Sequence, residues 1–326
     1  MNKVLVTGAT GFTGGKVAER LVQDGHDVVA FVRSNSDTNK LHELGVECRT
    51  VDIRDTNDVS RNFTDVKKVF HIAAAYRSEH ADHGEFRAVN VDATRNLLNA
   101  AQEAGVERFV HCSTVGVQGE IEDPPASEDY RFKPGDHYQQ SKLDGELLAL
   151  DYFRSGLPVS VVRPVGIYGP GDTRFLKLFR PIQRGRFVMI GKGDVLYHMT
   201  YIDDLVEGFI LAGERPEALG EVFTIGGPEY TTIRELVDAI ANVLGLRPPR
   251  LRVPFQPVYW ASVVCDYLCR AVNISPPLYP RRVEFFELDR AFSTEKAQQL
   301  LGYRPKIGLP EGLARTAAWY TEQGLI

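Results

Sequence analysis

Tyr138-Gln139-Gln140-Ser141-Lys142 sets a phenol and an ammonium four residues apart, and on a helix such positions share one face. A free phenol, with a pKa of about 10, is a poor base at neutral pH. A neighbouring ammonium favours the phenolate and lowers that value, so Tyr138 could take a proton from a hydroxyl or give one to a ketone. A second reactive group, Ser113 and Thr114, closes the apolar run Phe109-Val110-His111-Cys112 and puts two hydroxyls at a strand end. Tyr and Lys one turn apart also occur on many solvated helices. Their weight here depends on what holds them.

The positioning elements begin at the N-terminus. Lys3-Val4-Leu5-Val6-Thr7 reads as a buried parallel strand, and Gly8-Ala9-Thr10-Gly11-Phe12-Thr13-Gly14 as a glycine-rich turn opening a helix. Gly8 permits the tight turn, Gly11 lets the backbone approach a pyrophosphate, and Gly14 lets helix and strand pack closely. The free N–H groups of the helix start then hold the anion. A dinucleotide with a cationic nicotinamide would lower the pKa of the Tyr138 phenol further. The sequence predicts strands near 3–7, 27–32, 46–51, 67–72, 107–112, 158–163 and 221–225. Helices are expected near 12–23, 56–62, 85–104, 137–155 and 203–213. That alternation describes an α/β fold with a doubly wound parallel sheet.

After residue 163 the texture changes. Pro164, Gly166, Gly169, Pro170 and Gly171 lead away from the sheet, and 173–184, 231–244, 257–271, 293–301 and 310–322 read as helices. We expect a nucleotide-binding domain from 1–163 plus about 203–228. A smaller, mostly helical substrate lobe from about 164–202 plus 229–326 would cap the carboxyl edge of the strands.

Composition excludes some classes. A net charge of −5 gives no reason to expect nucleic acid as a partner, and no stretch is long and apolar enough to span a bilayer. The first strand starting at residue 3 argues against a signal peptide and for a cytoplasmic protein. Cys48, Cys112, Cys265 and Cys269 lack zinc spacing, so no metal is expected and the thiols are read as reduced and mostly buried. The stretch 257–271 is read first as a core or dimer helix; an apolar lid or a peripheral membrane contact is the alternative.

Residues 1–230 resemble the extended short-chain dehydrogenase/reductase superfamily, in its epimerase/dehydratase branch. The resemblance rests on Thr7 to Gly14, Val51-Asp52-Ile53, His71-Ile72-Ala73-Ala74, Val89-Asn90-Val91, Tyr138 to Lys142 and Arg163-Pro164. It continues through Tyr168-Gly169-Pro170-Gly171-Asp172 and Tyr201-Ile202-Asp203-Asp204, and more weakly through Leu301-Gly302-Tyr303-Arg304-Pro305. It implies a Rossmann-type fold with Tyr138 as acid/base and Lys142 holding the nicotinamide ribose. Thr114 is implied to hydrogen-bond the reacting oxygen, with Ser113 as its substitute. Asp52 and Ile53 fall where the family contacts adenine. Gly8, Thr10, Gly11, Phe12, Thr13, Gly14, Ala73, Ala74 and Asn90 are expected around the rest of the cofactor. A homodimer through helices 85–104 and 137–155 is also implied.

The second strand ends in Val32-Arg33 where NAD-preferring sites place an acid, so NADP is favoured over NAD, with Asp37 as the NAD-type alternative. Nucleotide-sugar members carry Asn at the position of Gly166, and an Arg-Asp pair where this chain has Tyr197-His198. Two diphosphate ligands are therefore missing, although Arg174, Lys177, Arg180 or Lys192 could replace them. The remainder is similar to the branch of 3β-hydroxysteroid dehydrogenases, sterol-4-carboxylate dehydrogenases and dihydroflavonol-type reductases. Tyr76, Gly166, Tyr197 and His198 are the expected substrate contacts, with Tyr259, Trp260, Val263 and Tyr267 offering area for a ring system or alkyl chain. Oxidation or reduction of a secondary alcohol or ketone is the first expectation. Nucleotide-sugar 4-epimerisation or dehydration with tightly bound NAD is the second, and a non-catalytic cofactor-binding regulator the third.

Overall fold

The computed structural model describes residues 3–76, 83–271, 274 and 276–326. Valine-rich runs form β1 (Lys3–Thr7), β2 (Val28–Val32), β3 (Glu47–Thr50), β4 (Val66–His71), β5 (Arg108–Cys112) and β6 (Val159–Pro164). The chain then makes β7 (Gly166–Tyr168), β8 (Met189–Ile190) and β9 (Leu196–Tyr201). It continues with β10 (Val222–Ile225), β11 (Tyr230–Thr232) and β12 (Arg252–Val253). Among the described residues the central sheet has seven strands in the order β10-β6-β5-β4-β1-β2-β3, with every pairing parallel. The order reverses between β1 and β4. Open sheets of this kind bind ligands at that point, outside the carboxyl ends of the strands.

Helices α1 (Phe12–Gln23), α2 (Asn39–Glu43), α3 (Thr56–Asn62), α4 (His83–Arg87), α5 (Ala93–Ala104) and α6 (His137–Arg154) alternate with the first strands. They are followed by α7 (Leu176–Gln183), α8 (Ile202–Glu214), α9 (Ile233–Val243), α10 (Phe255–Ala271), α11 (Pro280–Glu284) and α12 (Leu309–Glu322). Side chains alternate along a strand, so β1 sends Val4 and Val6 to one face of the sheet and Leu5 to the other. Val4 and Val6 join a core with Leu205 and Phe209 of α8 and reaching Tyr320 of α12. Leu5 packs with Leu97 and Leu98 of α5 and Leu148 of α6.

Several expectations need amendment. The C-terminal region contains two small sheets besides its helices, β11-β9-β7 and β12-β8; β7, β8, β11 and β12 have two or three residues each, too short to show a period in sequence, while six-residue β9 was not expected. The helix expected over 85–104 is interrupted by a π-turn at Ala88–Asp92. There Thr94 Oγ1 donates to the Asn90 carbonyl while the Asn90 side chain turns away to bond Ala75. α10 is not a core helix: Trp260, Val264, Tyr267 and Leu268 are exposed. All four cysteines are free and half-buried rather than mostly buried.

Candidate active site

The glycine turn is shaped by close backbone approach. Gly8 adopts φ +73°, and a Cβ there would stand 2.8 Å from Ala73 N. A Cβ on Gly14 would stand 2.2 Å from Gly8 O, so no larger residue fits between turn and helix. Thr7 Oγ1 accepts hydrogen bonds from Ile72 N and Ala73 N at 3.1 and 3.2 Å, tying the ends of β1 and β4 together. Thr10 and Gly11 are exposed, and α1 starts at Gly11 without a side-chain cap or an acid in its first turn. Gly11 N donates to Gly8 O within the turn, and no side chain caps the start of α1; this arrangement fits a pyrophosphate. Thr13 lies half-buried beside it, while the Phe12 ring packs against Gly171. The Phe12 ring also lies 5.8 Å from the Arg174 guanidinium.

α6 carries the paired phenol and ammonium. Its N-cap Asp136 accepts from Gln139 N at 2.7 Å, and the same carboxylate pairs with Arg281 of α11. Lys142 is buried, and its ammonium donates to the carbonyl of Cys112, at the end of β5, at 2.5 Å. Burial pulls the Lys142 pKa below its ordinary value, while Cys112 and Glu146 oppose that shift. Tyr138 is half-buried, edge-on to Tyr76 at 5.3 Å and near Phe86 at 6.1 Å. Asn90 stitches the site together. Its amide bonds both backbone groups of Ala75 and donates to Ser141 Oγ at 2.9 Å, and Ser141 in turn donates to the Tyr138 carbonyl. Asn90 therefore holds the loop containing Ala73, Ala74 and Ala75 against α6.

Thr114 Oγ1 accepts from Gly116 N at 3.1 Å, which leaves its O–H free to donate. Ser113 is 3% exposed, and its hydroxyl has no partner among the described residues. Beneath them His71 and His111 lie 5.4 Å apart, fully buried. Burial, helped by the Lys142 charge, pushes His71 down to about 3 and holds His111 well below the usual imidazole value. Both rings are therefore neutral, and the Lys142 ammonium is the cation they face.

The outer residues divide. Arg33 is exposed at the end of β2, and exposed Asp37, just before the Thr38 N-cap of α2, accepts from Asn39 N. Asp52 and half-buried Ile53 follow β3, with the Asp52 carboxylate held below its ordinary pKa by its hydrogen bond to Arg54. Tyr76 stands half-exposed, with the Arg174 guanidinium 5.6 Å from its ring centre. Gly166 and Tyr197 form one feature: a Cβ on Gly166 would stand 2.9 Å from the Tyr197 hydroxyl. His198 does not serve as a substrate contact. It is 3% exposed, and its two ring nitrogens lie 3.0 Å from the Phe292 and Gly227 carbonyls. Trp260 and Tyr267, read as gripping surface, are 63% and 74% exposed on the outside of α10. A cavity of about 780 Å³ lies between the loop 191–195 and the residues Arg252, Phe255, Phe286 and Glu287.

Residues 4–226 match the model of the NAD-dependent epimerase/dehydratase family. The chain belongs to that family. It is 30% identical to a 3-beta-hydroxysteroid dehydrogenase of Mycolicibacterium neoaurum, over 99% of this chain and 92% of the relative. It is 28% identical to the decarboxylating sterol-4-alpha-carboxylate 3-dehydrogenase of Mus musculus, over 96% and 90%. The crystal structure of UDP-glucuronic acid 4-epimerase from Bacillus cereus in complex with NAD superposes with TM-score 0.79. It is 25% identical and covers 98% of this chain and 99% of that one.

This member of the extended short-chain dehydrogenase/reductase superfamily is thus an NAD(P)-dependent enzyme, and several of its motif residues serve structure. Asp204 is 5% exposed and accepts from Lys306 N and Ile307 N, while Tyr303 donates to the Gly226 carbonyl. Together they fasten the C-terminal segment to the start of α8 and the end of β10. Arg163 forms a buried bidentate pair with Glu146, one turn beyond Lys142. Sequence reading missed Glu146, Asp136 and Phe86 as supports of the site. Glu146 had a signal, since Glu at i+4 from Lys142 lies on the same helical face.

Proposed function

We propose that this enzyme transfers hydride between a nicotinamide and a secondary alcohol or ketone of an apolar, steroid- or flavonoid-like substrate. When bound, the nicotinamide would give or accept the hydride. The chain supplies the proton and the polarisation. Tyr138 gives a proton to the forming alkoxide oxygen, or takes one from the alcohol. Thr114 donates its free O–H to that same oxygen, with Ser113 in reserve. Lys142, fixed by the Cys112 carbonyl, lends positive charge to the phenol and a donor to the ribose.

The observation that carries the substrate class is the interlock of Gly166 and Tyr197. Nucleotide-sugar members place an Asn where Gly166 stands, yet here the Tyr197 hydroxyl occupies the adjoining space. A diphosphate buried without polar donors is costly. Phe255, Phe286 and Val195 give apolar walls to the cavity of about 780 Å³, whose lining does not include Tyr138, Thr114, Gly166 or Tyr197. The names of the sterol-acting relatives agree. One observation favours the second reading, a nucleotide-sugar 4-epimerase or dehydratase: Lys192 and Arg252 line the same cavity. Calorimetry of the cofactor-loaded enzyme with UDP, against a panel of apolar hydroxy and keto compounds, separates the two. We expect binding from the panel and weak binding of UDP. Micromolar UDP binding with no response to the panel selects the epimerase instead.

We further propose NADP as the preferred cofactor, because exposed Arg33 stands at the end of β2 where an acid would select NAD. Arg33→Ala is expected to weaken NADPH binding by about 10–100-fold and NADH binding little, since a charge-assisted hydrogen bond is worth about 1.5–3 kcal/mol. Fluorescence titration of both cofactors measures this, and equal losses would make Arg33 a bystander. A homodimer through α5 and α6 fits the half-exposed Leu147 and Phe153 on α6.

A further inference from the structure

The exposed side of α10 is unusual for a water-facing helix. Pro257, Trp260, Ala261, Val264, Tyr267 and Leu268 fall within one stripe of about 120° and are all exposed. Trp260, Val264, Tyr267 and Leu268 have 56–74% of their surface accessible. α11 packs against α10, and Ser262, on the side opposite the stripe, is buried. Charge is distributed just as unevenly. Six arginines and one aspartate lie between residues 247 and 282, with Arg281 paired to Asp136 and with Glu284, Glu287 and Asp289 following, in a chain whose net charge is −5. Arg250 and Arg252 flank exposed Leu251 on the segment that runs through β12 into α10, and exposed Arg282 stands on α11.

We infer that α10 and its arginine flanks form a docking surface for an anionic lipid bilayer. An aromatic and aliphatic stripe with arginines on the adjoining segments is the composition of a helix lying in the membrane interface, with its apolar face below the headgroups and its cations among them. No helix among the described residues is long and apolar enough to cross a membrane, so the contact is peripheral. A second copy of the chain suits the face less well, because self-docking would bring the two arginine clusters together. An acidic membrane surface neutralises them, and each arginine near it raises partitioning about fivefold.

The test requires no turnover, so its outcome is independent of the proposed substrate. The chain has two tryptophans, and Trp319→Phe leaves Trp260 as the only indole. With vesicles of phosphatidylglycerol and phosphatidylcholine, the full-length protein is expected to co-sediment and its Trp260 emission to move to shorter wavelength. Vesicles of phosphatidylcholine alone should bind at least about tenfold less. Arg250→Gln with Arg282→Gln should weaken binding to anionic vesicles about 10–30-fold. Val264→Ser with Tyr267→Ser should weaken it about tenfold or more. All four residues are exposed, and circular dichroism checks that the fold persists. An unshifted Trp260 spectrum with anionic vesicles would overturn the inference. So would a dimer in sedimentation velocity that the Val264 and Tyr267 substitutions dissociate.

Discussion

Tyr138→Phe is expected to lower kcat by about 10²–10⁴-fold with any ketone the wild-type enzyme reduces, while cofactor affinity stays within about twofold. The substitution removes one oxygen and leaves the ring between Tyr76 and Phe86, so the packing of α6 is retained. Lys142 keeps its bond to the Cys112 carbonyl and Asn90 keeps the Ala75 loop in place. What disappears is the proton donor. Thr114 cannot replace it, because a hydroxyl that only hydrogen-bonds the reacting oxygen polarises it without protonating it. Steady-state kinetics and a cofactor titration on the same preparation make the measurement. Near wild-type kcat would falsify the assignment of Tyr138, and a parallel collapse of cofactor binding would show damage to the site instead.

Glu146→Ala is expected to be the most destabilising single change, at about 3–5 kcal/mol. Arg163 and Glu146 are 2% and 0% exposed and share two hydrogen bonds, one of them 3.0 Å from Nε to Oε2. Arg163 also donates to the Glu128 carbonyl, while the Glu128 carboxylate accepts from Thr224 N, so the pair joins α6, β6 and β10 through one network. Removing Glu146 strands a guanidinium out of water. Thermal unfolding should show a midpoint lower by about 4–7 °C. Glu146→Ala combined with Arg163→Met should recover much of that loss, because the stranded charge is then gone. A fall of less than about 2 °C in the single variant would show that the pair contributes little.

Much of this protein can be read from local pattern. The boundaries of α1 and α3 coincide with the sequence reading, and the central strands agree to within a residue or so. Those segments combine period, breakers and caps, as where Asp55 caps α3 through Asn57 N and Asp58 N. The order of the chemistry was legible too, because a parallel sheet must present its strand ends and following helices at one edge. β8 and β12 were not legible, since each is two residues long and exists only by pairing with the other.

The residue types at the site were set by sequence alone: a glycine turn whose Gly14 tolerates no Cβ, hydroxyls at Ser113 and Thr114, and Tyr138 with Lys142 on one helical face. Their settings were decided only by tertiary packing. His198 looked like a ligand and proved to be a buried brace, because the carbonyls that meet its nitrogens come from Phe292 and Gly227, far away in the chain. Gly166 and Tyr197 looked like two separate departures and proved to be one, since β7 and β9 pair and bring them together. The apolar stretch 257–271 gave the helix, read first as core or dimer, but not which of its faces the fold leaves exposed. Hydrophobicity specifies that a face will seek cover, but tertiary packing, here with α11, determines which face is already covered and which remains open.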